Sequence, residues 1–114
     1  MPFFHMTTNT ELDLATRAEL KSAFGKIVSD IPGKSETWLM VGFTAERGAL
    51  YFAGSDAPCA IVEISAYGRI PTAAYDPLTR DVTAAIVKHT AIPAERIYVK
   101  YTEIQHWGLG GENF

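Results

Sequence analysis

Apolar positions recur along this chain with two different spacings, and the switches between them divide it into elements. Pro2 to Thr8 (PFFHMTT) is short, rich in β-compatible residues and closed by Asn9-Thr10, which predicts a strand. Between Leu12 and Ile31 the spacing changes. Leu20, Phe24, Ile27, Val28 and Ile31 fall one helical turn or two apart, the stripe of an amphipathic helix, and Pro32-Gly33 ends it.

Thr37 to Thr44 (TWLMVGFT) is a near-continuous apolar run of strand length, which predicts a strand covered on both faces. Ala45 to Gly48 reads as a turn, Ala49 to Ala53 as a short strand pairing back as a hairpin, and Gly54 to Pro58 as a loop. Cys59 to Tyr67 (CAIVEISAY) predicts the next strand. A second helix is expected to begin near Asp76-Pro77, with Asp76 as N-cap, Pro77 as first helical residue, and Leu78, Val82, Ala85, Ile86 and His89 on its buried stripe. After Pro93, Glu95 to Tyr101 (ERIYVKY) alternates as a strand does, with Arg96, Tyr98 and Lys100 on one face. The glycine-rich tail from Gln105 to Phe114 is expected to be irregular.

The two halves, about residues 2–44 and 59–101, repeat the order strand, helix, Pro-containing break, strand. That predicts an α+β domain built from duplicated βαβ units: a four-stranded sheet with two helices on one face and extra short strands. The opposite sheet face would be apolar and uncovered, which implies an oligomer.

Composition narrows the function classes. At 114 residues and 47% hydrophobic the chain suits one globular domain. A formal net charge of -3 with scattered basic residues offers no footprint for nucleic acid or an anionic membrane. The single cysteine, Cys59, excludes an internal disulfide, and three dispersed histidines give no metal-ligand spacing. No signal-peptide pattern or membrane-length apolar run is visible, so the expected compartment is cytoplasmic, with export lacking a signal peptide left open.

The start of the chain carries the candidate chemistry. Aminopeptidases remove an initiator Met before a small residue, so the mature chain is expected to begin at Pro2 with a free secondary amine. An α-amino group titrates near ~8; apolar surroundings and a nearby cation both lower that value and make the amine a general base at neutral pH. Of the histidines, His89 reads as a packed or capping residue, and His106, beside Trp107, as a candidate for a pocket rim.

Met1-Pro2, Gly33-Lys34 before an apolar strand, Phe52-Ala53-Gly54-Ser55-Asp56 with Pro58-Cys59, Tyr67-Gly68 and Glu95-Arg96-Ile97-Tyr98-Val99 together resemble the macrophage migration inhibitory factor family over nearly the whole chain. The resemblance implies a trimeric, tautomerase-type architecture and cofactor-independent keto-enol tautomerisation of aromatic 2-oxo acids such as phenylpyruvate. It implies Pro2 as the catalytic base, Lys34 as the carboxylate-binding cation, and Tyr98 as an aromatic wall contributed by the neighbouring subunit. Tyr67, Lys100, Leu109 and Phe114 complete the expected substrate-binding set, with no metal ligand. Tyr67 stands where better-known members carry Ile, Lys100 where they often carry Asn, and Leu109-Gly110 where many show Trp and Asn. By strand parity Lys100 shares the face of Tyr98 and would add a second cation to the pocket. Cys59-Ala60-Ile61-Val62 lacks a Cys-x-x-Cys, which argues against thiol-redox chemistry. The alternative implied by the family is a secreted, cytokine-like signalling protein with an unknown receptor and a vestigial amine.

Overall fold

The computed structural model describes residues 1–114. Its main sheet is built from β1 (Pro2–Thr8), β2 (Met40–Ala45), β3 (Ala60–Tyr67) and β4 (Ile97–Ile104), in the spatial order β2-β1-β3-β4. β1 runs parallel to β2 and β3 parallel to β4, while β1 and β3 are antiparallel. Each parallel pair is joined by a helix, α1 (Leu14–Ile27) or α2 (Thr72–His89), as a parallel connection requires. The α+β architecture with two helices against a four-stranded sheet is thus as expected.

Alternation along β1 and β3 decides which face is covered. Phe4, Met6 and Thr8, and Ala60, Val62, Ile64 and Ala66, point inward and are buried. Leu20, Phe24 and Val28 from the first helical segment and Leu78, Val82 and Ile86 from α2 close over them. The buried set joins one apolar cluster under both helices. Thr8, the one buried polar residue, donates its hydroxyl to the Cys59 carbonyl at 2.7 Å, which removes the cost of hiding it.

Several boundaries differ from the sequence expectation. α1 starts at Leu14, capped by Asp13, whose Oδ1 accepts from the Thr16 N–H at 2.8 Å; this bond holds the Asp13 carboxyl below its ordinary range. The helix then tightens into a short 3-10 turn over Val28–Asp30, and Gly33 takes a left-handed φ of 80° that the following turn requires. α2 begins at Thr72, before Asp76, so Pro77 lies inside it. The carbonyl that Pro77 leaves without a partner is that of Ala73, in the first turn. The extra turn is held by buried Ile70 and Ala74 and by Glu103 Oε2, which accepts from the Ile70 N–H at 2.7 Å and the Tyr75 hydroxyl at 3.3 Å.

β2 is not covered on both faces: it is an edge strand, and Met40 is 68% exposed. The expected hairpin strand at Ala49 to Ala53 is absent. Ala53 (φ 53°) and Gly54 (φ 74°) turn the chain back at once, and only Phe52 and Ser55 exchange backbone hydrogen bonds, both at 3.0 Å. Residue 96 is the reason this loop holds its shape. Instead of opening β4, Arg96 sits in a 3-10 turn (Ala94–Arg96) and donates to the carbonyls of Pro58, Phe52, Ser55 and Ala57 at 3.0 to 3.3 Å.

The tail is not irregular. β5 (Gly108–Leu109) and β6 (Glu112–Asn113) form a small hairpin around Gly110 and Gly111, with φ of 62° and 94°. Two consecutive positive φ values are the requirement of a tight hairpin turn, and adjacent glycines meet it.

The uncovered sheet face is not uniformly apolar either. It carries Phe3, His5, Thr7, Ile61, Glu63, Ser65, Tyr98, Lys100 and Thr102, because the alternation that buries one side leaves a mixed set on the other. The need for a partner on this face therefore rests on its exposed aromatic and apolar members, with Tyr98 59% exposed, and on the two unpaired strand edges.

Candidate active site

β1 brings the start of the chain to one end of the sheet, beside the end of β3. Pro2 pairs with Ala66, and the Met1 carbonyl accepts from the Tyr67 N–H at 3.0 Å. Pro suits this first strand position, and its ring is buried. Lys34, just past the turn at Gly33, lies across the same corner and donates from Nζ to the Tyr67 carbonyl at 2.9 Å. The Met1 α-amine sits close to it. Partial burial, then the Lys34 charge and a hydrogen bond with Lys34, hold that amine below its ordinary value of 8.0.

The tail closes one side of the corner. The Phe114 N–H donates to the Trp107 carbonyl at 3.0 Å, which returns the end of the hairpin, and the Phe114 ring packs on Tyr67 with centroids 5.6 Å apart. Pro2, Lys34, Tyr67 and Phe114 are thus brought together within one chain. Leu109, on the β5–β6 hairpin, is 49% exposed.

Tyr98 and Lys100 are not at this corner of their own chain. Tyr98 is aligned with Ile61, and Ile61 with Thr7, so it lies five residues along the strands from Pro2, roughly 16 Å at about 3.3 Å per residue. Its ring packs edge-on against Phe52 at 5.0 Å, in the loop that Arg96 clamps. Lys100 does share the face of Tyr98, as its parity predicts, but its Nζ is 3.4 Å from Glu63 Oε2. The other oxygen of Glu63 is 3.9 Å from His5 Nδ1, and His5 Nε2 is 3.0 Å from the Thr44 hydroxyl.

This polar row crosses all four strands. Its presence was not read from the sequence, although the alternation that puts His5, Glu63 and Lys100 on open-face positions is visible once the strand register is known. His89 pairs with Glu19 at 2.8 Å between the two helices, and His106 is exposed near the hairpin. Cys59 is buried, and no group of three or more His, Cys, Asp or Glu side chains is placed to hold a metal ion. The largest concavity of the single chain, about 670 Å³, is a groove between α1 and α2 lined by Ala23, Lys26, Ala85 and Lys88 among others, away from Pro2.

The profile of the macrophage migration inhibitory factor family matches residues 1–113. The chain belongs to that family. MIF2 of Leishmania major is 38% identical, with 100% of this chain and 97% of that one covered at a TM-score of 0.92. The macrophage migration inhibitory factor of Toxoplasma gondii is 26% identical, with 98% and 99% covered at a TM-score of 0.89. The MIF-like protein of Entamoeba histolytica, at 18% identity and a TM-score of 0.85 with 99% and 98% covered, shares the fold. No curated protein sequence matches the chain. Family membership implies a function of the tautomerase/MIF type, carried on the family's α+β fold. No helix is long and apolar enough to cross a membrane.

Proposed function

We propose that this family member is a cofactor-independent tautomerase of aromatic 2-oxo acids such as phenylpyruvate, with the Pro2 amine, freed by removal of Met1, as its general base. The observation that carries the reading is the chain terminus beside Lys34, where the Met1 α-amine, one residue before Pro2, is held below its ordinary value by burial and by the lysine's charge. A neutral amine there takes a proton from the carbon next to the substrate ketone. The C–H electrons become the C=C bond, and the carbonyl π electrons move onto oxygen. The amine then returns its proton to that oxygen, and no electron leaves the substrate. Lys34 holds the substrate carboxylate and stabilises the developing negative charge, while Tyr67, Leu109 and Phe114 line the ring's side of the corner.

The active form is a homotrimer in which Tyr98 and Lys100 of a neighbouring copy complete each site. The separation of Tyr98 from Pro2 within one chain supports this, as do the exposed Met40, Tyr98 and Leu109. The test is ultraviolet detection of enol formation by purified protein against a Pro2→Gly variant. Loss of activity with Pro2 is expected. A wild type inactive on every aromatic 2-oxo acid, yet correctly processed to Pro2, would overturn the reading.

A further inference from the structure

The row on the open face is built around a carboxylate with two cationic claimants. β1 and β3 set His5 opposite Glu63, and β3 and β4 set Glu63 opposite Lys100. Each oxygen of Glu63 faces a different partner: Oε1 lies 3.9 Å from His5 Nδ1, and Oε2 lies 3.4 Å from Lys100 Nζ. The imidazole is held on its other sides by the Thr44 hydroxyl at 3.0 Å and by stacking on Phe3 at 5.8 Å. β2 leaves room for it, because the residue opposite His5 is Gly42. Within one chain, Thr44 from β2, Glu63 from β3 and, beyond Glu63, Lys100 from β4 are the polar groups facing His5, and no helix of that chain covers this side of the sheet.

We infer that Glu63 is a positioning residue that decides whether Lys100 acts as a second cation toward the substrate, and that His5 sets that decision by competing for the same carboxylate. This rests on the proposed tautomerase site, in which Tyr98 of one copy faces Pro2 of the next. Lys100 follows Tyr98 by two residues on the same strand face, about 7 Å along it. With His5 neutral, Glu63 and Lys100 cancel, and the pocket offers Lys34 alone. Histidine gains charge as pH falls from about 8 to about 5. With His5 charged, one carboxylate serves two cations, the row carries a net positive charge, and the long lysine stem lets the ammonium turn away. An acidic shift then favours 2-oxo acids that carry a second anionic group.

The test compares kcat/KM for phenylpyruvate and for its 4-carboxy derivative between pH 8 and pH 5.5. In the wild type the ratio favouring the dianion should rise by about two- to fivefold as pH falls, the scale of one solvent-exposed ion pair. Glu63→Gln should show the raised ratio already at pH 8 and a flat profile. His5→Gln, which keeps a partner for Thr44 without the charge, should hold the low ratio at every pH. Ratios that are flat and equal in all three proteins overturn the inference and leave the tautomerase reading standing. If phenylpyruvate is not turned over at all, the tautomerase reading fails, and this inference, which rests on it, fails with it.

Discussion

Lys34 Nζ is hydrogen-bonded to the backbone carbonyl of Tyr67 at 2.9 Å, a neutral partner, and no carboxylate pairs with it. Its charge is therefore positioned without being cancelled, and remains available to an anion and to the terminal amine. Replacing it should have two separable effects. Lys34→Met removes a like charge from beside the amine, so the kinetic pKa assigned to that amine should move up toward the ordinary ~8, and the profile should shift to higher pH. The lost charge-assisted contact to the substrate carboxylate should lower kcat/KM by about 10- to 100-fold, mostly through KM. Unchanged KM with an unchanged pH profile would remove Lys34 from the site.

A second pair of groups, Asp30 at the end of the first helical segment and Asp81 on α2, makes stability depend on pH. The Asp30 carboxyl is pushed up to about 6, first by a hydrogen bond shared with Asp81, then by burial and the Asp81 charge, with Arg80 opposing. When both carboxyls are ionised, Asp30 Oδ2 is buried with no donor; a proton between the pair supplies one. The folded state thus binds this proton more tightly than the unfolded chain. Its contribution is full below about pH 4, the range of an unperturbed Asp, and is lost as pH rises through about 6. Asp30→Asn, whose amide donates at every pH, should raise Tm at pH 8 and leave it nearly level with wild type at pH 4.5. Equal Tm differences at both values would contradict this.

Arg96 ties the loop under Tyr98 to the start of β4 through four carbonyls, and its guanidinium lies 5.1 Å from the Phe52 ring centre. Lysine cannot reproduce that fork. Arg96→Lys should cost about 2 kcal/mol of stability, the scale of hydrogen bonds to a charged group, and should speed amide exchange across residues 52–58. An unshifted denaturation midpoint together with unchanged exchange would show the clamp to be dispensable.

The sheet and both helices were legible because their signals are local. Phe4, Met6 and Thr8 alternate with Phe3, His5 and Thr7, and Leu20, Phe24 and Val28 return each turn. Arg96 was assigned to a strand because its neighbours alternate, yet its bonds run to residues 52–58, which no spacing announces. Ala49 to Ala53 looked like a strand, but strands need an edge to pair with, and the positive φ of Ala53 and Gly54 turns the chain elsewhere. At the site, the nearness of Pro2, Lys34 and Tyr67 came from resemblance, since three positions so far apart in sequence share no local pattern. The link between Glu63 and Lys100 depends on strand register, which the letters do not state.

The shared-site proposal makes a quantitative prediction about mixed assemblies. If each site takes Pro2 from one copy and Tyr98 from the next around a ring, Pro2→Gly and Tyr98→Ala chains are each inactive alone for different reasons. A site formed by the Pro2 corner of a Tyr98→Ala chain and the Tyr98 face of a Pro2→Gly chain contains both intact groups. In trimers assembled at random from equal amounts, two independent choices of chain must both be favourable, so about one quarter of wild-type activity should return. The measurement is the phenylpyruvate enol assay after denaturing the two variants together and refolding them, against the same variants refolded separately and mixed. Recovery only on co-refolding supports a site built across chains. Absence of recovery, with mixed trimers verified by native mass spectrometry, would place Tyr98 outside the site.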